Sequence, residues 1–89
     1  MSLLKLKIIS LSKIVFEGEV LQVSAPTETG EIGVLADHVP LVSVLKEGIT
    51  TVKDRNGSKR VFKTAKGLIE VRPKSEVVVL TDAARELEN

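Results

Sequence analysis

Turn signals break this sequence at short intervals, and nothing constrains its fold more. Polar turns, most of them with Gly or Pro, fall at Ser10–Lys13, Glu17-Gly18-Glu19, Pro26–Gly30, Lys46-Glu47-Gly48, Asn56-Gly57, Ala65-Lys66-Gly67 and Pro73-Lys74-Ser75. The runs between them read as strands. In Leu3–Ile9, Leu4, Leu6 and Ile8 alternate with Lys5 and Lys7, the period of two of a half-buried strand. Ile14-Val15-Phe16 is a second short strand, with Ile14 and Phe16 inward. Val20–Ala25 places Leu21, Val23 and Ala25 on one face, and Pro26, which lacks a ladder N–H, ends it. Leu41–Leu45 and Leu68–Arg72 follow the same pattern. Glu76–Leu80 is the most β-branched run, and its valines predict a central strand buried on both faces. Short strands at close spacing define an all-β chain, a β-sandwich or small barrel.

The clearest local signal is Asn56-Gly57. That pair favours a two-residue type I′ turn, which would set Asp54 opposite Lys59, Val52 opposite Val61 and Thr51 opposite Phe62. The pattern changes at Thr81. Thr81–Asn89 holds good helix formers, a cap at Thr81 or Asp82 and an Ala83/Leu87 stripe, so a short helical start is expected there. The chain thus divides into a sandwich over 1–80 and the beginning of a helix over 81–89.

With 89 residues there is material for one core. Phe16 and Phe62 are the only aromatic residues, so Leu, Ile, Val and Ala must pack that core closely. Cysteine is absent, which removes disulfides and thiolate metal sites. A net charge of +1 gives no general attraction to nucleic acid. Lys5 and Lys7 interrupt the first apolar run, so it does not read as a signal peptide. No run approaches the roughly 20 apolar residues of a membrane-spanning helix.

Most of the polar residues free to do more than cover a core lie in Pro26–Pro40, which reads as a rigid turn, a very short strand and a second rigid turn. Chemistry is poorly provided for. Asp37 and His38 are adjacent, and neighbours on extended backbone point to opposite faces, unlike the members of a triad. One histidine without cysteine rarely completes a metal site, and Gly30–Gly33 lacks the helix and lysine of a phosphate loop. Base stacking on a small barrel uses aromatic platforms, and Tyr and Trp are absent. Lys53, Arg55, Lys59 and Arg60 read as a solvated hairpin tip. The residues therefore describe a domain that acts by binding another macromolecule. A free-standing barrel that binds a ligand or nucleic acid is the alternative.

A resemblance adds a partner. Gly30-Glu31-Ile32-Gly33-Val34-Leu35-Ala36-Asp37-His38-Val39-Pro40-Leu41 is similar to a hallmark segment of the epsilon subunit of F-type ATP synthases, called delta in mitochondria. Val15–Val20, Leu45–Gly48 and Gly67–Val71 resemble further family segments, in order and at the family's spacing. The resemblance implies a flattened β-sandwich of about ten short strands that performs no chemistry and carries no cofactor. It implies a place in the rotor, between the gamma subunit and the membrane ring of c-subunits, during proton- or sodium-driven ATP synthesis. Membrane association would then come only through the complex, on the cytoplasmic face of a bacterial inner membrane. Residue by residue, Glu28, Gly30 and Glu31 are expected to face the c-ring, and Ser10, His38, Leu41 and Val42 the gamma subunit. Gly30, Gly33 and Pro40 also shape the turns. Most bacterial members continue into two helices, whereas this sequence stops inside the first. Asp82 and Arg85 match the ATP-sensing motif of some members, but Thr81 and Glu86 depart from it, so no useful ATP binding is expected.

Overall fold

A computed structural model of the protein describes residues 2–88; Met1 and Asn89 lie outside that range. Its strands are β1 (Leu4–Ile9), β2 (Ile14–Thr27), β3 (Gly30–Leu35), β4 (Leu41–Leu45), β5 (Gly48–Asp54), β6 (Lys59–Thr64), β7 (Gly67–Arg72), β8 (Glu76–Thr81) and β9 (Ala84–Leu87). The all-β expectation holds, and β2 organises it. The N-terminal half of β2 pairs with β1, and its C-terminal half with β3 and β5. Counted in both layers, β2 gives one layer ordered β3-β2-β5-β6-β9 and a second ordered β2-β1-β8-β7-β4. Leu4, Leu6, Ile8, Val20, Val23, Val34, Leu45, Val52, Phe62, Ile69, Val77 and Val79 fill the space between them.

Two expected breaks in β2 do not occur. Gly18 stays in the strand opposite Leu6, and Pro26 pairs with Glu31. Pro26 is tolerated because its carbonyl accepts from the Lys46 N–H at 2.9 Å. Its backbone therefore faces away from β3, and the missing N–H removes no bond from that ladder. The register against β5 shifts between Val20 and Gln22. This bulge buries both Val20 and Val23 and leaves Leu21 only half-buried, against the simple alternation expected. Ile14, expected inside, is exposed, whereas Phe16 packs edge-on against Phe62 with centroids 5.7 Å apart.

The Asn-Gly hairpin is one residue out of the expected register. Val52 faces Arg60, Thr50 faces Phe62, and Lys53 rather than Asp54 faces Lys59. Asp54 is responsible. Its Oδ1 accepts from the N–H groups of Asn56 and Ser58, both at 2.9 Å, and its backbone N–H donates to Ser58 O. Only Gly57 takes a positive φ, at 86°. The result is a three-residue loop closed by a glycine bulge instead of a type I′ turn. A one-residue slip turns every side chain over. It carries Phe62 into the core, and buries Thr50 beside Thr64 with their hydroxyls 2.9 Å apart.

β8 behaves as its sequence predicts. It lies between β1 (parallel) and β7 (antiparallel), with Val77, Val78 and Val79 all buried. Gly67, opposite Thr81, permits an unusually close approach: a Cβ there would lie 1.9 Å from the Leu80 carbonyl oxygen.

The expected helical start after Thr81 is corrected. No helix occurs among the described residues, and Ala84–Leu87 forms β9 on the edge of β6. Helix propensity loses for two reasons. A single short helix is marginal in water, whereas the strand gains a ladder and a clamp. Arg60 holds Glu86 by two hydrogen bonds of 2.8 and 2.7 Å while lying over the rings of Phe16 and Phe62. Ala84 packs against the core.

Candidate partner-binding surface

The polar residues singled out in the sequence fall at three places. Glu28 and Gly30 sit at the β2–β3 tip with Glu31 beside them, so this expected group is together. The buried Thr27 hydroxyl donates to Gly30 O and lies 3.3 Å from the Thr29 hydroxyl, which braces the turn from within. Gly30 has a φ of 117°, with open space where a side chain would be. The Glu28 N–H donates to Val44 O at 3.1 Å, tying the tip to β4. Leu41 and Val42 line the same groove as Gly30, Glu31 and Gly33.

Ser10 and His38 are separated from that group and from each other. Ser10 closes the β1–β2 turn, its N–H donating to Lys13 O at 2.9 Å. His38 lies in the β3–β4 loop, at the opposite end of the second layer. Asp37 there has a φ of 66° and donates its N–H to Ser75 Oγ at 2.9 Å. The Asp37 carboxylate accepts from Ser75 rather than from His38, whose Nδ1 lies 2.7 Å from Val39 O. The neighbouring acid and imidazole are thus each occupied locally and do not pair, although Asp37 is in the left-handed region and not on the extended backbone assumed from the sequence.

The strand registers reveal what the sequence reading missed, a graded outer face on the second layer. One cross-strand row reads Glu19, Lys5, Glu76, Arg72, charges of alternating sign. The next reads Glu17, Lys7, Val78, Glu70, Val42. A third reads Ile14, Ile9, Leu80, Leu68, Val44, with no charge at all. In the first two rows Lys7–Glu17 at 3.7 Å and Arg72–Glu70 at 3.0 Å are exposed pairs that favour solvent. In the third, Ile14, Leu80, Leu68 and Val44 are 41–53% exposed, and Val42 beside them is 64% exposed. Leu11, at 83%, extends the band past Ser10. A continuous apolar band across five strands, rimmed by charge, is the form of a protein-binding surface. Ser10 and Val42 border it, and His38 does not. Its one sequence signal is Leu41–Leu45, apolar on both parities, with Ser43 inward and Val42 and Val44 outward.

The fold and this face define a small β-sandwich with an exposed apolar band on one layer. Comparison with known proteins names the family. Residues 3–87 match the model of the β-sandwich domain of the ATP synthase delta/epsilon chain, and the protein belongs to that family. An ATP synthase epsilon chain of Dichelobacter nodosus is 38% identical over 81 residues, which are 91% of this chain and 57% of the relative. One from Psychrobacter arcticus is 37% identical over 89 residues, all of this chain and 64% of the relative. The chain thus spans less than two thirds of the length of these relatives. Among solved structures, a chain of the Euglena gracilis mitochondrial ATP synthase, in its OSCP/F1/c-ring assembly, superposes with a TM-score of 0.91 at 25% identity. That match covers 97% of this chain and 54% of the other. A chain of the Tetrahymena thermophila central stalk and c-ring shares the fold, with a TM-score of 0.76 at 12% identity, over 91% of this chain and 64% of the other.

Proposed function

We propose that this domain is a non-catalytic part of the rotor of an F-type ATP synthase, joining the gamma subunit to the c-ring at the cytoplasmic face of a bacterial inner membrane. The observation that carries the proposal is the uncharged row Ile14–Ile9–Leu80–Leu68–Val44, which leaves apolar area in water unless a partner covers it. The gamma subunit covers this band, with Ser10 and Val42 at its margins; Leu41, on the inward parity of β4 and packed against the core, and His38, at the far end of the layer, lie off it. The β2–β3 tip, with Glu28, Gly30 and Glu31, faces the ring, where its carboxylates meet basic groups. Membership of the family supports the same assignment. A small core closed by two layers suits a part that must pass torque without deforming.

Leu68→Glu and Leu80→Glu test this. Both positions are outward, so folding persists while a charge enters the covered band. Capture of the gamma subunit by a tagged protein is expected to fall at least tenfold, with the melting temperature nearly unchanged. Undiminished capture would remove the band from the interface. Glu31→Lys is expected to lower coupled ATP synthesis more than it lowers thermal stability, and unchanged synthesis would remove the ring contact.

A further inference from the structure

β3 is a sheet edge, and its backbone shows which atoms are free. Among the described residues it pairs with β2 alone. Pro26 turns its carbonyl towards Lys46, so Pro26↔Glu31 is a pair without mutual hydrogen bonds. By parity, the N–H and C=O of Glu31 and Gly33 point away from β2, into the groove beside β4. The Val44 carbonyl faces the same way on β4, where it accepts from Glu28, so the backbone of Val42 opens onto that groove too. Natural sheets usually blunt such edges with Lys, Pro or a bulge. The other edge of this layer, β9, is only four residues long and carries Arg85 and Glu86. β3 instead presents two glycines, and nothing stands within 4 Å of a Cβ built on Gly30. Glu28 and Glu31, beside the groove, enter no ion pair among the described residues.

We infer that the free edge of β3 at Glu31 and Gly33 accepts an extended, basic loop segment of the c-ring by strand addition. The inference rests on the ring contact proposed above and gives it a mode. Backbone hydrogen bonds to Glu31 and Gly33 supply the attachment, and a Lys or Arg on the incoming segment meets the carboxylates of Glu28 and Glu31. Side chains leave a strand perpendicular to its hydrogen-bonding direction, so the same residue can serve both roles. Charge decides among occupants, because the apolar band calls for an uncharged partner face and this edge for a basic one.

Amide hydrogen exchange distinguishes the cases, using the full chain alone, with the gamma subunit, and with gamma plus the detergent-solubilised c-ring. The Glu31 and Gly33 amides are expected to exchange at least tenfold more slowly only when the ring is present. Gly33→Pro removes a groove-facing N–H without touching the β2 ladder, and is expected to weaken ring capture about tenfold while gamma capture persists. Ring binding that leaves these two amides unprotected would overturn strand addition and leave the ring contact standing. Failure of the ring to bind while gamma binds would remove both. Protection by gamma alone would overturn the assignment of the edge to the ring.

Discussion

Replacing Gly67 with Ala tests how tightly the second layer is closed. The added Cβ would lie 1.9 Å from the Leu80 carbonyl oxygen and 2.8 Å from the Thr81 Cα. Both are backbone atoms of β8, so no side-chain rotation relieves the clash. β7 must move away from β8 by about 1 Å, and overpacking of this kind typically costs about 1–3 kcal/mol. Gly67 also faces Leu45 on β4, so the shift weakens ladder bonds on both sides, each with a net contribution of about 1 kcal/mol. The restricted unfolded chain of the variant offsets about 0.4–1 kcal/mol. The sum is a loss of about 2–4 kcal/mol, or a fall of about 10–25 °C in melting temperature for a domain this size. Calorimetry or urea unfolding measures it. Gly18→Ala is the control, since a Cβ there meets only the Phe16 ring at 3.5 Å. It is expected to change stability by less than about 1 kcal/mol. If Gly67→Ala melts as high as Gly18→Ala, the reasoning from close approach fails.

Other outcomes follow from the same structure. Thr64→Val leaves the buried Thr50 hydroxyl without its partner and is expected to cost about 1–3 kcal/mol, while Thr50→Val with Thr64→Val costs less than the two singles added; equilibrium unfolding of the three proteins checks this. Arg60→Ala is expected to speed amide exchange over Ala84–Leu87 well before it affects β8, and equal effects on both would contradict the clamp. Glu86 is held below its ordinary value of 4.5 by its hydrogen bond to Arg60. Its contribution is therefore fully present above that pH and lost as pH falls through the lower folded-state value. Because the pair is well exposed, the effect is about 1 kcal/mol or less, and Glu86→Gln should remove that part of the acid-unfolding profile. Titration calorimetry with ATP should show no micromolar binding, since Arg85 lies on a strand opposite Lys63 and departures from the sensing motif flank it.

Much of the fold was legible in the sequence because strand alternation and turn chemistry are local. Leu4, Leu6 and Ile8 declared an inward face, and three consecutive valines announced a strand buried on both sides. The β2–β3 tip was legible for the same reason, and Glu28, Gly30 and Glu31 needed only one turn to be brought together. The apolar band was not, because its members come from β1, β2, β4, β7 and β8 and meet only through the registers of four ladders.

Three features escaped a reading of single-residue preferences, two decided by the tertiary structure and one, the hairpin loop, by the nearby Asp54 carboxylate. Ala84–Leu87 lies among helix-forming residues, yet the open edge of β6 and the guanidinium of Arg60 make it a strand. Asn56-Gly57 specified a hairpin, while the carboxylate of Asp54 chose its loop and so its register. Pro26 forbade one hydrogen bond, but only the position of Lys46 showed that the strand could continue through it. Sequence sets what each residue prefers by itself, and therefore determined the all-β class, most turns and the inward faces. Which strands neighbour one another is settled by burying one common core, and that global condition overrules a local preference of about 1 kcal/mol wherever the two conflict.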